Sequence, residues 1–117
     1  MPTPRPRRSV LYMPGSNARA LEKARSLPAD ALILDLEDAV APDAKDRARE
    51  QVCAALRGGG YGHREIAVRI NGLDTPWGEK DVAAVAGAGP DAILVPKVES
   101  AAMLSEVERR MRAAGAP

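Results

Sequence analysis

The sequence predicts an α/β fold made of parallel βα repeats, and three features carry that expectation. Four short aliphatic runs are spaced along the chain, each trailed by a segment with helical periodicity. No two runs are joined by the turn chemistry of a β-hairpin, so the strands must be connected through crossovers. The third feature is the run Leu32-Ile-Leu-Asp-Leu-Glu-Asp-Ala-Val40. It begins as a branched-aliphatic strand of the kind buried on both faces of a parallel sheet. It stops on three carboxylates, Asp35, Glu37 and Asp38. Strand alternation puts Asp35 and Glu37 on one side, Leu36 and Asp38 on the other. Acids where a buried strand emerges are costly unless a cation or ligand faces them, so this stretch reads as a site.

The elements follow in order. Met1 to Arg8 is rich in proline and arginine and reads as a flexible basic arm. Ser9–Met13 is the first strand. Pro14-Gly15-Ser16-Asn17 turns the chain, with Asn17 or Ser16 capping a helix to about Ser26. Leu27-Pro28-Ala29-Asp30 leads into the second strand. Pro42-Asp43 opens the second helix, with Asp43 as a cap. Ala44, Ala48, Val52 and Leu56 recur there at helical spacing, while Lys45, Asp46, Arg49 and Glu50 are expected to face water. The glycines from Gly58 to Gly62 break that helix in a flexible loop. Ile66–Ile70 is the third strand, Trp77–Ala86 a short helix, and Ala92–Val95 the fourth strand. Ser100 caps the last helix, whose Leu104, Val107 and Met111 form a narrow apolar stripe. Gly87-Ala-Gly-Pro-Asp-Ala92 imitates a dinucleotide loop, but it precedes a strand instead of following one, and Pro90 removes an amide the phosphates would need. It reads as a helix-ending loop.

Composition narrows the function classes. In 117 residues, 17 Lys and Arg balance 16 Asp and Glu. No global charge therefore recruits nucleic acid or an anionic membrane. No apolar run spans a bilayer. One cysteine, Cys53, makes no internal disulfide, which fits a reducing, cytoplasmic setting. Cys53 and His63 read as a core thiol and an exposed imidazole.

In parallel α/β folds the strand C-termini gather on one face, and that face holds the site. Pro14-Gly15-Ser16 follows the first strand, Glu37-Asp38 the second, Arg69 and Asn71 the third, Lys97 and Glu99 the fourth. An acidic cluster, a guanidinium, an amide and an ammonium suit a small anionic substrate. Four βα units leave two architectures open. A (β/α)8 barrel would be half present; an open doubly wound sheet would be nearly complete, and length favours it. The second option admits a receiver-like signalling domain, with Asp35 or Asp38 as phosphoacceptor and Lys97 after a late strand. Against it, the first strand ends on Met13-Pro14-Gly15, where an acidic pair would be needed.

Four ordered motifs choose the barrel. Arg8-Ser-Val-Leu-Tyr-Met-Pro-Gly-Ser16, Leu34-Asp-Leu-Glu-Asp-Ala-Val40, Val68-Arg-Ile-Asn71 and Val95-Pro-Lys-Val-Glu-Ser100 together resemble the citrate lyase β-subunit-like branch of the HpcH/HpaI aldolase family. That branch includes citryl-CoA and malyl-CoA lyases. The resemblance implies the N-terminal half of a TIM (β/α)8 barrel over residues 9–117, an incomplete domain. It implies a Mg2+-dependent carbon–carbon lyase acting on CoA thioesters of hydroxy di- or tricarboxylic acids, active in its complete form.

Carried over by residue, Arg69 looks like the arginine that holds the oxo-acid carboxylate. Glu37 and Asp38 look like acids bordering the metal, in its outer shell and not as direct ligands. Lys23 matches a lysine that approaches CoA, with Pro14 and Gly15 in the loop near the nucleotide and Lys97 on the substrate side. Some relatives carry arginine right after the PGS turn; Asn17 stands there in this chain, with Arg19 close by. The family's metal-binding glutamate and aspartate belong to later strands, so no direct metal ligand is expected in this chain. The expected partners are a CoA thioester or oxo-acid and further copies of the chain, with neither nucleic acid nor membrane. Bland roles stand beside these. Glu37 and Asp38 also suit a helix cap or an ion pair with Arg69, Lys97 and Glu99 a solvated loop pair, and Lys23 a plain surface position. A half-barrel serving only in assembly is the remaining alternative.

Overall fold

The computed structural model describes residues 8–115. Four strands alternate with four helices: β1 (Val10–Pro14), α1 (Ala18–Lys23), β2 (Ala31–Asp35), α2 (Lys45–Gly58), β3 (Glu65–Arg69), α3 (Gly78–Ala88), β4 (Ala92–Leu94) and α4 (Ala101–Ala113). All strand pairs are parallel, in the order β1-β2-β3-β4. A doubly wound sheet of the receiver kind places its first strand between the second and third, where the winding reverses. Here β2 itself lies between β1 and β3, and the order advances one strand at a time as staves of a barrel do. The α/β reading with parallel βα repeats stands, and the receiver-like topology is excluded.

Side-chain alternation sorts the two sheet faces. Leu32, Leu34, Ile66 and Val68 point to the helices and pack with Leu21, Ala24, Ala48, Val52, Cys53 and Val85. A second cluster joins Ile70 to Val82 of α3 and Val107 of α4. The opposite face carries no helix among the described residues. Ile33 and Ala67 are half-buried there, Tyr12 is exposed, and Val10 and Leu94 are exposed around a shallow apolar hollow of about 250 Å³. The second strand is buried along nearly its whole length, as expected: Leu32 and Leu34 pack under the helices, and on the other face Ala31 and Asp35 are buried while Ile33 is half-buried.

Local chemistry explains the element ends. The Asn17 side chain caps α1 by accepting from the Ala20 amide at 3.0 Å. The turn after Lys23 tightens into i→i+3 bonds up to Ser26. Ser100 caps α4 through the Met103 amide. Asp43 is not a cap; it lies inside a short 3-10 turn, Pro42–Ala44, and α2 starts without a side-chain cap. Gly89 ends α3 in a left-handed conformation, as a helix-ending loop requires. The Gly58–Gly62 loop is fastened, since buried Tyr61 donates its hydroxyl to the Leu21 carbonyl at 2.9 Å. Leu104 is exposed, so the apolar stripe of α4 buries only Val107 and part of Met111. The basic arm lies outside the described residues except Arg8, whose backbone and Nε both donate to Asp30. Among the described residues, no helix is long and apolar enough to cross a membrane.

Candidate active site

The strand C-termini do converge. Asp35 and Arg69 are register partners at the ends of β2 and β3, and both project on the open face of the sheet. Asp35 is fully buried. Arg69 donates Nε to Asp35 Oδ1 and Nη2 to Oδ2, both at 2.8 Å, a two-pronged contact. The same carboxylate accepts the backbone N–H of Glu37 and of Ala39, each at 2.9 Å. Burial alone would raise the Asp35 carboxyl; the guanidinium and the two amides outweigh it and hold the pKa below the usual range. The hydrogen bond to Asp35 in turn raises Arg69, which stays a cation. The Tyr12 ring of β1 lies against the guanidinium, 5.0 Å from ring centre to Cζ.

Glu37, one residue past the strand's last neighbour, joins this pair to the fourth unit. Its carboxylate lies 3.6 Å from Arg69 Nε and 2.7 Å from Lys97 Nζ. Lys97 reaches back across the sheet end from a backbone with φ 51°, a left-handed conformation that is uncommon for a residue with a Cβ. Its ammonium is exposed, is raised by the hydrogen bond to Glu37, and also lies 3.9 Å from Asp38. Beside these charges runs a groove of about 740 Å³ lined by Glu37, Asp38, Lys97, Asn71, Trp77 and the first turns of α4.

Arg69, Glu37, Asp38 and Lys97 are therefore brought together, with Arg69 beside the groove and linked to it through Glu37. Lys23 stands exposed at the end of α1, and it lines neither hollow. Pro14 and Gly15 end β1 outside the groove. Gly15 donates its amide to the Asp35 carbonyl at 2.7 Å, and a Cβ there would fall 2.7 Å from that oxygen and 2.9 Å from Val52. Its want of a side chain is explained by that close approach. Among the described residues no group of three or more His, Cys, Asp or Glu side chains is placed to hold a metal ion. Asp35 and Glu37 are already engaged by cations, so the residues present do not by themselves make a magnesium site.

Sequence reasoning missed the support beneath. Neither Lys45 nor Arg49 faces water as expected. Lys45 is buried, and its ammonium donates to Leu36 O at 3.1 Å, Glu37 O at 3.0 Å and Asn71 Oδ1 at 2.7 Å, with the Trp77 ring 5.1 Å away. Asn71 donates Nδ2 to Leu36 O and to Asp81, whose other oxygen accepts from Arg49 Nε at 2.8 Å. These residues lock the loop after β2 to the loop after β3. The sequence offered no clear advance signal: Asp81 stands in the polar first turn of α3 beside Glu79 and Lys80, where an acid is ordinary.

The family profile of HpcH/HpaI aldolase/citrate lyase matches residues 8–116. The chain belongs to this family. Relatives agree with the assignment. This HpcH/HpaI chain is 59% identical over 102 residues to a (3S)-malyl-CoA thioesterase of Cereibacter sphaeroides, covering 87% of itself and 36% of that protein. It is 47% identical over 102 residues to citrate lyase subunit beta of Leuconostoc mesenteroides, covering 87% of itself and 34% of the relative. Among solved structures, CitE of Mycobacterium tuberculosis in complex with magnesium, acetoacetate and coenzyme A superposes with a TM-score of 0.67 at 29% identity, over 87% of this chain and 38% of that one. The chain spans about a third of the length of the relatives it matches.

Proposed function

We propose that residues 9–117 are the first four βα units of a barrel enzyme that makes or breaks a carbon–carbon bond in CoA thioesters of hydroxy di- or tricarboxylic acids. The observation that carries this reading is Arg69, a guanidinium fixed at the sheet's C-terminal end with one donor edge uncommitted among the described residues. Cleaving such a thioester removes the hydroxyl proton, breaks the bond between that carbon and the carbon next to the thioester, and leaves an oxo-acid and a thioester enolate. A planar arginine holds the oxo-acid carboxylate by two parallel hydrogen bonds, fixing the carbonyl where the bond must break. Lys97, exposed and joined to Glu37, adds positive charge on the groove side for an anionic substrate. Lys23, Pro14 and Gly15 are assigned to the thioester's nucleotide end, with Lys23 approaching the CoA. Magnesium belongs to this reading because the Mycobacterium relative was solved in complex with it. The residues described here orient the substrate; they do not ligate the ion.

A second reading is favoured by one observation, the 59% identity to a protein named malyl-CoA thioesterase. There the same arginine would hold the malyl carboxylate while water attacks the thioester carbonyl. Product analysis separates the two. The full-length protein with magnesium is given malyl-CoA or citryl-CoA, and products are quantified by chromatography. The lyase reading expects oxo-acid and acetyl-CoA in equal amounts with no free CoA. Free CoA together with intact hydroxy acid favours hydrolysis, and no turnover of either thioester overturns both.

A further inference from the structure

We infer that Asp35 and Tyr12 are positioning residues that aim Arg69, committing one edge and one face of its guanidinium so that only the end-on pair of donors is left for a substrate carboxylate. The inference rests on the proposed role of Arg69. A guanidinium has five N–H groups and offers two forks, a side fork from Nε and Nη2 and an end fork from Nη1 and Nη2. Asp35 takes the side fork at 2.8 Å on both arms. The ring of Tyr12 occupies a face. Nη1 has no hydrogen-bond partner among the described residues, so the end fork remains free.

Asp35 is suited to this task because it cannot turn. It is fully buried, and each of its oxygens accepts one guanidinium N–H and one backbone N–H, from Glu37 and from Ala39. The two amides belong to the acidic loop. One carboxylate therefore fixes both the cation of the site and the backbone that carries Glu37. Its position on the sheet agrees, since Tyr12, Asp35 and Arg69 all project on the open face while their strand neighbours Met13, Leu34 and Val68 pack toward the helices. A cross-strand ion pair that only stabilised the sheet would have no need of a free end fork or of a ring on the guanidinium.

The test measures discrimination for a carboxylate. In the full-length protein, calorimetry gives Kd for a 2-oxo acid and for its methyl ester, which keeps the shape but loses the charge. Asp35→Asn keeps the size of the side chain and turns one acceptor into a donor that faces N–H groups. It should weaken the oxo acid about tenfold and the ester less than twofold, the loss expected when a charged hydrogen bond is misaligned. Tyr12→Leu should weaken the oxo acid about threefold, again sparing the ester. Equal weakening of both ligands, or no change in either, overturns the inference and leaves Asp35 structural. Should Asp35→Asn fail to fold by circular dichroism, Tyr12→Leu decides alone, because Tyr12 meets the guanidinium through its ring and leucine keeps an apolar side chain in its place. Arg69→Lys in the same assay tests the underlying reading. If it removes the discrimination while the other two variants keep it, only the positioning claim falls; if it too keeps it, the role of Arg69 falls first.

Discussion

Replacing Lys45 by methionine keeps the length of the side chain and removes the ammonium that ties two loops together. Its three acceptors are not left equally bare. Leu36 O still accepts from Asn71 Nδ2 at 2.8 Å, and Glu37 O still accepts from the Val40 amide at 3.1 Å. Asn71 Oδ1 loses its only hydrogen-bond donor among the described residues and is buried. One orphaned buried acceptor costs roughly 1–3 kcal/mol, and the lost charge-assisted bonds at the two carbonyls add to it. Relief from burying an ammonium offsets part of the sum. A net loss of about 2–3 kcal/mol follows from these contributions. Urea unfolding of the full-length protein, followed by circular dichroism, reads it as a lower midpoint at unchanged slope. Glu50→Ala, on the exposed side of the same helix, serves as the control and should shift nothing. A Lys45→Met midpoint equal to that of the parent would refute the reasoning, because it would mean the lysine bonds are replaced by water without cost.

Three further outcomes are expected. Gly15→Ala should destabilise by roughly 1–3 kcal/mol, as overpacking does, since the new Cβ meets the Asp35 carbonyl and Val52; urea unfolding checks it, and a neutral result would mean the β1 end can retreat. Asp35 has a lowered carboxyl in the fold, so its contribution to stability is present above about pH 4 and is lost as pH falls through the lowered value. Unfolding free energy measured across that range should therefore fall less steeply in Asp35→Asn than in the parent. Finally, β1 and β4 carry no further strand among the described residues, and Val10, Leu11, Tyr12 and Leu94 are exposed along them. The isolated 117-residue chain should self-associate in sedimentation experiments, and a stable monomer at all concentrations would contradict the open-edge account.

Much of this architecture was legible because local signals and tertiary demands coincide. The aliphatic run at Leu32 is a strand by composition and also by burial, and Ser100 and Asn17 cap their helices by chemistry that acts within one turn. The meeting of Glu37, Arg69 and Lys97 was readable because parallel βα repeats send every strand's end to one face. What stayed hidden depends on partners far away in sequence. Lys45 carries the same charge as the water-facing residues near it on α2, and only the loops after β2 and β3, folded over it, supply acceptors for a buried ammonium. Asp35 was visible as an acid in a strand, but its bond to Arg69 depends on the register between β2 and β3, which periodicity does not specify. Asp43 failed as a cap because the chain first makes a 3-10 turn through Pro42, so the orphan amides of α2 lie elsewhere.

Arg69→Lys in the full-length protein tests the central claim most directly. Lysine keeps the charge but offers one point of contact where the guanidinium offers a fork to Asp35 and, in the proposed function, another to a substrate carboxylate. Steady-state kinetics on malyl-CoA and citryl-CoA, with the fold verified by circular dichroism, should show a loss of roughly 2–4 kcal/mol in transition-state stabilisation, a fall of about thirty- to a thousandfold in kcat/KM. Near-normal turnover of whichever thioester the parent enzyme accepts would contradict the account and leave Arg69 as a structural partner of Asp35.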